Sequence, residues 1–221
     1  MRFLFAIVLS ASILAGLTSA PAAAVPKAND QATCAKAKGD DAIAACGQLI
    51  ESGKMQNGEL ARIYLNRCYA WNWMREADKA MADCNEAVRL DPKFAGGYNG
   101  RCWSWNLKND PDRAILDCNE AIRLNENLAG AFNNRGESWR QKGDQDRAIA
   151  DYTQAIRIDP KFVSAYTNRC AAWNSKRNPD RGMPDCQRGP PPRSEIRACI
   201  RHSLSLQSAI ALSASRIRFQ A

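Results

Sequence analysis

The chemistry in this 221-residue chain rests on nine cysteines, a recurring Arg–Asp couple and a run of Asn and Trp side chains; its one histidine is His202. Cysteines can ligate metal, act as nucleophiles or close disulfides. Zinc sites use Cys and His at close spacing, and dithiol redox centres use Cys-x-x-Cys. Neither pattern is present, so no metal is expected. Instead Cys34 and Cys46 stand together, followed by couples sixteen residues apart: Cys68/Cys84, Cys102/Cys118 and Cys170/Cys186. No Ser-His-Asp set, glycine-rich phosphate loop or paired pocket carboxylates accompany them. The reading is therefore non-enzymatic, with no catalytic residue and no cofactor.

These couples sit inside a longer order. Four blocks of 34 residues follow one another without a gap: 61–94, 95–128, 129–162 and 163–196, the last decaying halfway. In each, an aromatic (Tyr64, Tyr98, Phe132, Tyr166) precedes an Arg (Arg67, Arg101, Arg135, Arg169) by three residues. A Trp (Trp71, Trp105, Trp139, Trp173) and an Asp (Asp83, Asp117, Asp151, Asp185) recur after it. A unit this short cannot bury its apolar face alone, so a fixed period predicts stacked units with an extended concave surface. Each block reads as helix, turn, helix. In the third, helix A covers 131–142, Gly143 and Asp144 turn, and Asp146 caps a helix B that Asp159-Pro160 ends.

The period and its residues resemble the tetratricopeptide (TPR) family. The third block carries the closest match, at Phe132, Gly136, Trp139, Ala148, Tyr152, Ala155 and Pro160. The first two blocks keep Ala80, Ala87, Ala114 and Ala121, and the first keeps Pro92. Arg stands in place of the family's usual Leu, and Cys replaces Gly in three blocks. The resemblance implies an all-α solenoid of helical hairpins, of an exported bacterial type with an N-terminal Cys-containing hairpin. It divides the chain into a segment 1–24, a capping hairpin and linker 25–60, repeats 61–94, 95–128 and 129–162, a truncated repeat 163–187 and a tail 188–221.

In an antiparallel hairpin, residues equally far from the turn lie level. Each Cys couple therefore faces across its own hairpin and is a disulfide candidate: Cys34, Cys46, Cys68, Cys84, Cys102, Cys118, Cys170 and Cys186. The alternative is that Cys serves as a small buried residue. Helix axes typically lie about 8–10 Å apart while bonded Cα atoms want about 5.5–6 Å, so a bond requires close helix approach at the Ala positions. The Arg and Asp lie equally far from the turn too and read as an ion pair within or between repeats. The four periodic Trp read as packing residues. Trp73 and Trp103 fall off that position.

The resemblance also implies use: such arrays hold peptides or partner proteins in the groove lined by helix A. Its groove positions fall on Asn66, Tyr69, Asn72, Trp73, Asn99, Trp103, Asn106, Asn134, Glu137, Arg140, Gln141, Asn168 and Asn174. Asn both donates and accepts, which suits an extended backbone, and Tyr69 and Trp103 supply apolar anchors. A Lys/Arg/Asn clamp for terminal carboxylates is absent: its places hold Leu65, Tyr69, Gly100, Gly130 and Asn134. The expected partner is a protein or peptide. A thiol redox protein or enzyme of the envelope, and a degenerate product without function, are the competing readings.

The ends complete the sequence reading. Met1-Arg2, the apolar run 3–17 and small residues before Ala24 form a signal-peptide pattern with cleavage after Ala24. The apolar run is shorter than the roughly 20 residues a span needs. Export to the periplasm or outside is expected, with no stable membrane span after cleavage. The net charge is +8, but Lys and Arg alternate with Asp and Glu along the helices, so nucleic acid is not an expected partner. After Cys186 the repeat pattern breaks into "QRGPPPRSEIRACIRHS". Read from the second base of each codon, that stretch permits Asn-Glu-Ala-Leu-Arg-Leu-Asp-Pro-Lys, close to "NEAVRLDPK" of the first block. A slipped frame near Cys186 follows, with a tail that has no selected fold and carries Cys199 as the unpaired cysteine. The tail's failure to complete the fourth repeat would leave apolar surface beside Tyr166 and Trp173 uncovered and open that end to self-association.

Overall fold

The structure is a computed structural model that describes residues 30–36 and 38–188. The signal-peptide segment 1–24, the tail from Gly189 with Cys199 and His202, and the readings made of them lie outside the described residues. Within them the chain forms five antiparallel helical hairpins: α1 (Asp30–Lys36) with α2 (Asp40–Glu51), α3 (Asn57–Trp73) with α4 (Ala77–Leu90), α5 (Ala95–Leu107) with α6 (Pro111–Leu124), α7 (Ala129–Gln141) with α8 (Gln145–Ile158), and α9 (Val163–Ser175) with α10 (Pro179–Arg188). Each hairpin packs on the next, and the first helices of successive repeats also touch, so α3, α5, α7 and α9 form one continuous inner layer. Among the described residues no helix is long and apolar enough to cross a membrane.

The hairpins close because small side chains stand where their helices cross. Ala80, Ala114 and Ala148 are fully buried at one register position of helix B, and Gly182 holds that place in α10. Ala87, Ala121 and Ala155 are buried one level down. The periodic Trp residues pack at the edge of these clusters. A cation from the start of helix B covers each of them: Lys79 on Trp71, Arg113 on Trp105, Arg147 on Trp139 and Arg181 on Trp173.

The turn between helices A and B uses one left-handed residue, filled by Arg75, Asn109, Gly143 and Arg177 in the four repeats. Only Gly adopts that conformation without a steric cost, so the third turn is the least strained. Asp144, not Asp146, caps α8: its side chain accepts the Arg147 amide at 3.0 Å. Asp146 lies inside the helix, where it pairs with Lys176 of the next repeat. Lys108–Asp78 and Lys142–Asp112 repeat that link between neighbouring repeats. The segment taken as a linker also differs: Asn57 to Leu60 extend α3 by a turn.

Each recurring Arg grips the Asp of its own hairpin with two hydrogen bonds, as in Arg101 to Asp117 at 2.7 and 2.8 Å. Arg101, Arg135 and Arg169 then reach back to Asn85, Asn119 and Thr153 of the preceding helix B. The pair therefore ties the hairpin together and sets the register of the next one. At the C-terminal end α10 reaches Tyr166 of α9. Tyr166 is buried, with Arg188 stacked on its ring at 5.5 Å and hydrogen bonded to its hydroxyl.

Candidate functional site: the concave face

The inner layer of first helices encloses an open groove of about 870 Å³. Side chains 34 residues apart in sequence line up along it, because each repeat presents the same helix face. One such row reads Tyr69, Trp103, Glu137, so the groove changes from aromatic to charged as it passes from the first two repeats to the third. Trp73 stands beside the row and is 57% exposed, an uncommon state for so large an apolar side chain. Its ring meets Trp103 edge to face at 5.3 Å, and Tyr69 tilts against Trp103 at 6.1 Å. Lys38, from the α1–α2 turn, lies over the Trp73 ring at 4.9 Å.

An asparagine ladder forms the floor. Asn99 donates to the Tyr69 hydroxyl at 2.9 Å and accepts from Asn134 at 2.9 Å; Asn168 donates to Asn133 at 3.0 Å. Burial pushes the Tyr69 phenol above its ordinary pKa, with the Asn99 hydrogen bond a smaller opposing influence. The ring therefore stays neutral on the groove floor. The ladder fixes the helices relative to one another and spends much of the Asn bonding capacity inside the protein.

The charged end is built around Glu137. Its carboxylate accepts from Arg140 Nε at 2.8 Å and Arg140 Nη2 at 2.6 Å. The Tyr152 hydroxyl, arriving from α8, donates to the same carboxylate at 3.3 Å. The Glu137 hydrogen bond raises the Arg140 pKa further above its already high value. Burial, followed by the nearby Glu137 charge, raises that of the Tyr152 phenol. Both groups keep their protons and remain donors.

Most of the residues placed on the concave face from sequence do meet there: Tyr69, Trp73, Asn99, Trp103, Asn106, Asn134, Glu137, Arg140, Gln141 and Asn168 line the groove. Asn66 sits apart, in a smaller cleft between the capping hairpin and α3. Asn72 is not available to a ligand. It is 1% exposed, donating to the Gly100 carbonyl at 3.1 Å and accepting from Ser104 at 2.9 Å. Asn106 repeats that arrangement with the Asn134 carbonyl and Ser138, so only its edge reaches the groove. Asn174 holds the same register position in α9, where it donates to Cys170 Sγ, and it is not among the groove-lining residues. In the third repeat the position is Arg140, and Ala172 replaces the Ser that would have been its partner. Both halves of the bond change together, so no buried polar group is stranded. The sequence reading missed Arg75, Leu107, Asn109, Asn133, Phe162 and Ser164 in the lining. Arg75 and Asn109 come from the left-handed turn position, which helix periodicity does not flag.

The cysteine couples meet across their hairpins. Cys34–Cys46, Cys68–Cys84, Cys102–Cys118 and Cys170–Cys186 are joined, with Cα atoms 4.9, 5.5, 5.5 and 5.4 Å apart. In the hairpin of the third repeat, α7 with α8, the same two places hold Gly136 and Tyr152. A Cβ on Gly136 would lie 2.7 Å from the Tyr152 ring, so the ring fills the space that a side chain at 136 would need.

Comparison with known proteins fits this geometry. A match to the tetratricopeptide repeat family covers residues 129–162. The array has the fold of a TPR-type helical-hairpin solenoid. Among solved structures, the TPR array is similar to a thermophilic TPR protein in Thermus thermophilus, at 16% identity, covering 76% of this chain and 90% of that one, with a TM-score of 0.60. MamA is 23% identical over 67% of this chain and 85% of its own, with a TM-score of 0.52. The first TPR of Spaghetti (RPAP3), solved bound to the HSP90 peptide SRMEEVD, is 18% identical over 57% of this chain and 99% of its own, with a TM-score of 0.50. No match was found among curated proteins.

Proposed function

We propose that this chain is an exported, non-enzymatic scaffold whose concave TPR groove holds an extended segment of a partner protein. The observation that carries the reading is the aromatic corner of the groove. Trp73 stands exposed, with the half-buried Trp103 beside it in the lining, on a face whose other side chains are mostly polar and bonded to one another. Aromatic side chains of this kind dominate interface energies when a partner covers them. The recurring charged residues support binding over catalysis, because the Arg–Asp pairs are spent on holding hairpins together. That a similar TPR domain was solved with a peptide supports the same use. Four disulfides suit an oxidising compartment, and with the sequence pattern at residues 1–24 they favour the periplasm or secretion.

The test is crosslinking and pulldown from the periplasm, followed by Trp103→Ala. The variant should weaken capture of the partner at least about tenfold, the usual effect of losing a central aromatic anchor, while the helical signal is kept. Equal capture by the variant would move the binding surface elsewhere.

A further inference from the structure

The hairpin of the third repeat lacks the cysteine couple, and what stands in its place reaches the groove. Tyr152 fills the crossing against Gly136, and its hydroxyl continues to the Glu137 carboxylate on the concave face. A disulfide at this place ends at its sulfurs and touches nothing in the groove. Glu137 accepts from four donors: Arg140 Nε and Nη2, the Tyr152 hydroxyl, and Gln141 Nε2 at 3.4 Å. Its acceptor capacity is filled. Arg140 is held by two of those bonds, is 41% exposed and lines the groove, so its guanidinium faces the open space. Arg75 lines the same groove and Lys38 borders it at Trp73. The open charge of the groove is therefore cationic.

We infer that the Tyr152 hydroxyl sets the ligand preference of the groove by holding Glu137, and through it Arg140, in a fixed position one repeat beyond the aromatic corner. The inference rests on the groove reading proposed above and adds the chemistry of the partner. Packed helices lie about 8–10 Å apart, which an extended chain spans in about three residues. The fitting partner is thus an extended segment with an aromatic side chain for Trp73 and Trp103 and a carboxylate side chain about three residues away for Arg140. Tyr152 acts as a positioning residue and touches no ligand itself.

Two capped fluorescent peptides test this in anisotropy titrations with the oxidised protein: Gly-Trp-Ser-Ser-Glu-Gly and the same sequence with Gln in place of Glu. The Glu peptide should bind about tenfold tighter at low salt, the worth of one charge-assisted hydrogen bond. Tyr152→Phe keeps the ring and removes the hydroxyl. It should leave the Gln peptide's affinity and the thermal midpoint unchanged and cut the Glu preference to about threefold. The double variant Gly136→Cys with Tyr152→Cys restores the covalent crossing and should lose the same preference, which keeps the test decisive if Tyr152→Phe folds poorly. An equal Glu preference in the wild type and both variants, or no preference in the wild type, overturns the inference while leaving the groove reading standing, provided that Trp103→Ala weakens both peptides. If Trp103→Ala leaves both affinities unchanged, the groove reading falls and the inference falls with it.

Discussion

The hairpins of the second and third repeats meet the same packing problem at the same register position and solve it differently. In the second, Cys102 and Cys118 bond across the crossing, fully buried. In the third, a Gly and a Tyr interlock, and the fully buried Tyr152 ring occupies the space. Four features around these places are shared: the Arg–Asp grip, the Ala crossing, the Trp under its cation and the Asp cap. The contrast therefore isolates two sources of stability. A disulfide acts largely by restricting the unfolded chain, so it depends on redox state and says little to its surroundings. A buried ring acts by apolar burial and close packing, is indifferent to reductant, and ends in a hydroxyl that can be used. The third repeat is also where the family match falls and where the groove turns from aromatic to charged. The covalent hairpins and the packed hairpin thus differ in what they offer the concave face as well as in how they are held.

The largest effect expected from breaking this comparison is at Tyr152. Tyr152→Ala empties a fully buried site facing a glycine that cannot fill it, and should cost about 3–5 kcal/mol in urea denaturation. A loss under about 1 kcal/mol would mean the ring does not hold the crossing. Next is the grip common to both hairpins. Arg101→Met and Arg135→Met each leave a buried Asp without its main partner. Each should destabilise by about 3 kcal/mol, and by equal amounts, because neither pair involves the crossing. Unequal losses would show that the disulfide and the ion pair are coupled.

Reduction separates the two solutions directly. Replacing both Cys102 and Cys118 by Ala should cost about 2–4 kcal/mol. Reductant should lower the protection of α5 and α6 amides from hydrogen exchange by more than that of α7 and α8. If all the hairpins lose protection alike, the array unfolds as one unit and the distinction is kinetic only.

The smallest effect lies at the caps. The Arg113 amide, and then its guanidinium, hold the Asp110 carboxyl below its usual range. Its folded pKa is depressed, so its contribution is present above the unfolded pKa and is lost as pH falls through the folded one. Asp110→Ala should lower the thermal midpoint slightly at neutral pH, with the difference from wild type vanishing at acid pH. Glu76→Ala at the matching place of the first repeat, where no side-chain cap forms, should change nothing.

The sequence by itself determined the period, the helical hairpins and which residues lie level across them. These follow from counting: a helix has a fixed rise, a turn has a fixed length, and equal distances from the turn meet. The Arg–Asp pairs were legible for that reason, whereas the concave row Tyr69, Trp103, Glu137 came from the family resemblance. What only the tertiary structure decided is where polar groups go between repeats. Asn72 and Asn168 look alike in sequence, yet Asn72 is buried against Gly100 and Ser104 while Asn168 lines the groove. Helix periodicity gives a residue's angle but not the partner that the next repeat supplies at that angle. The hydroxyl of Tyr152 reaching Glu137 belongs to the same class. The sequence showed it only as a residue of the repeat pattern, and only the length of the ring, set across a crossing that Gly136 leaves open, carries it through to the concave face.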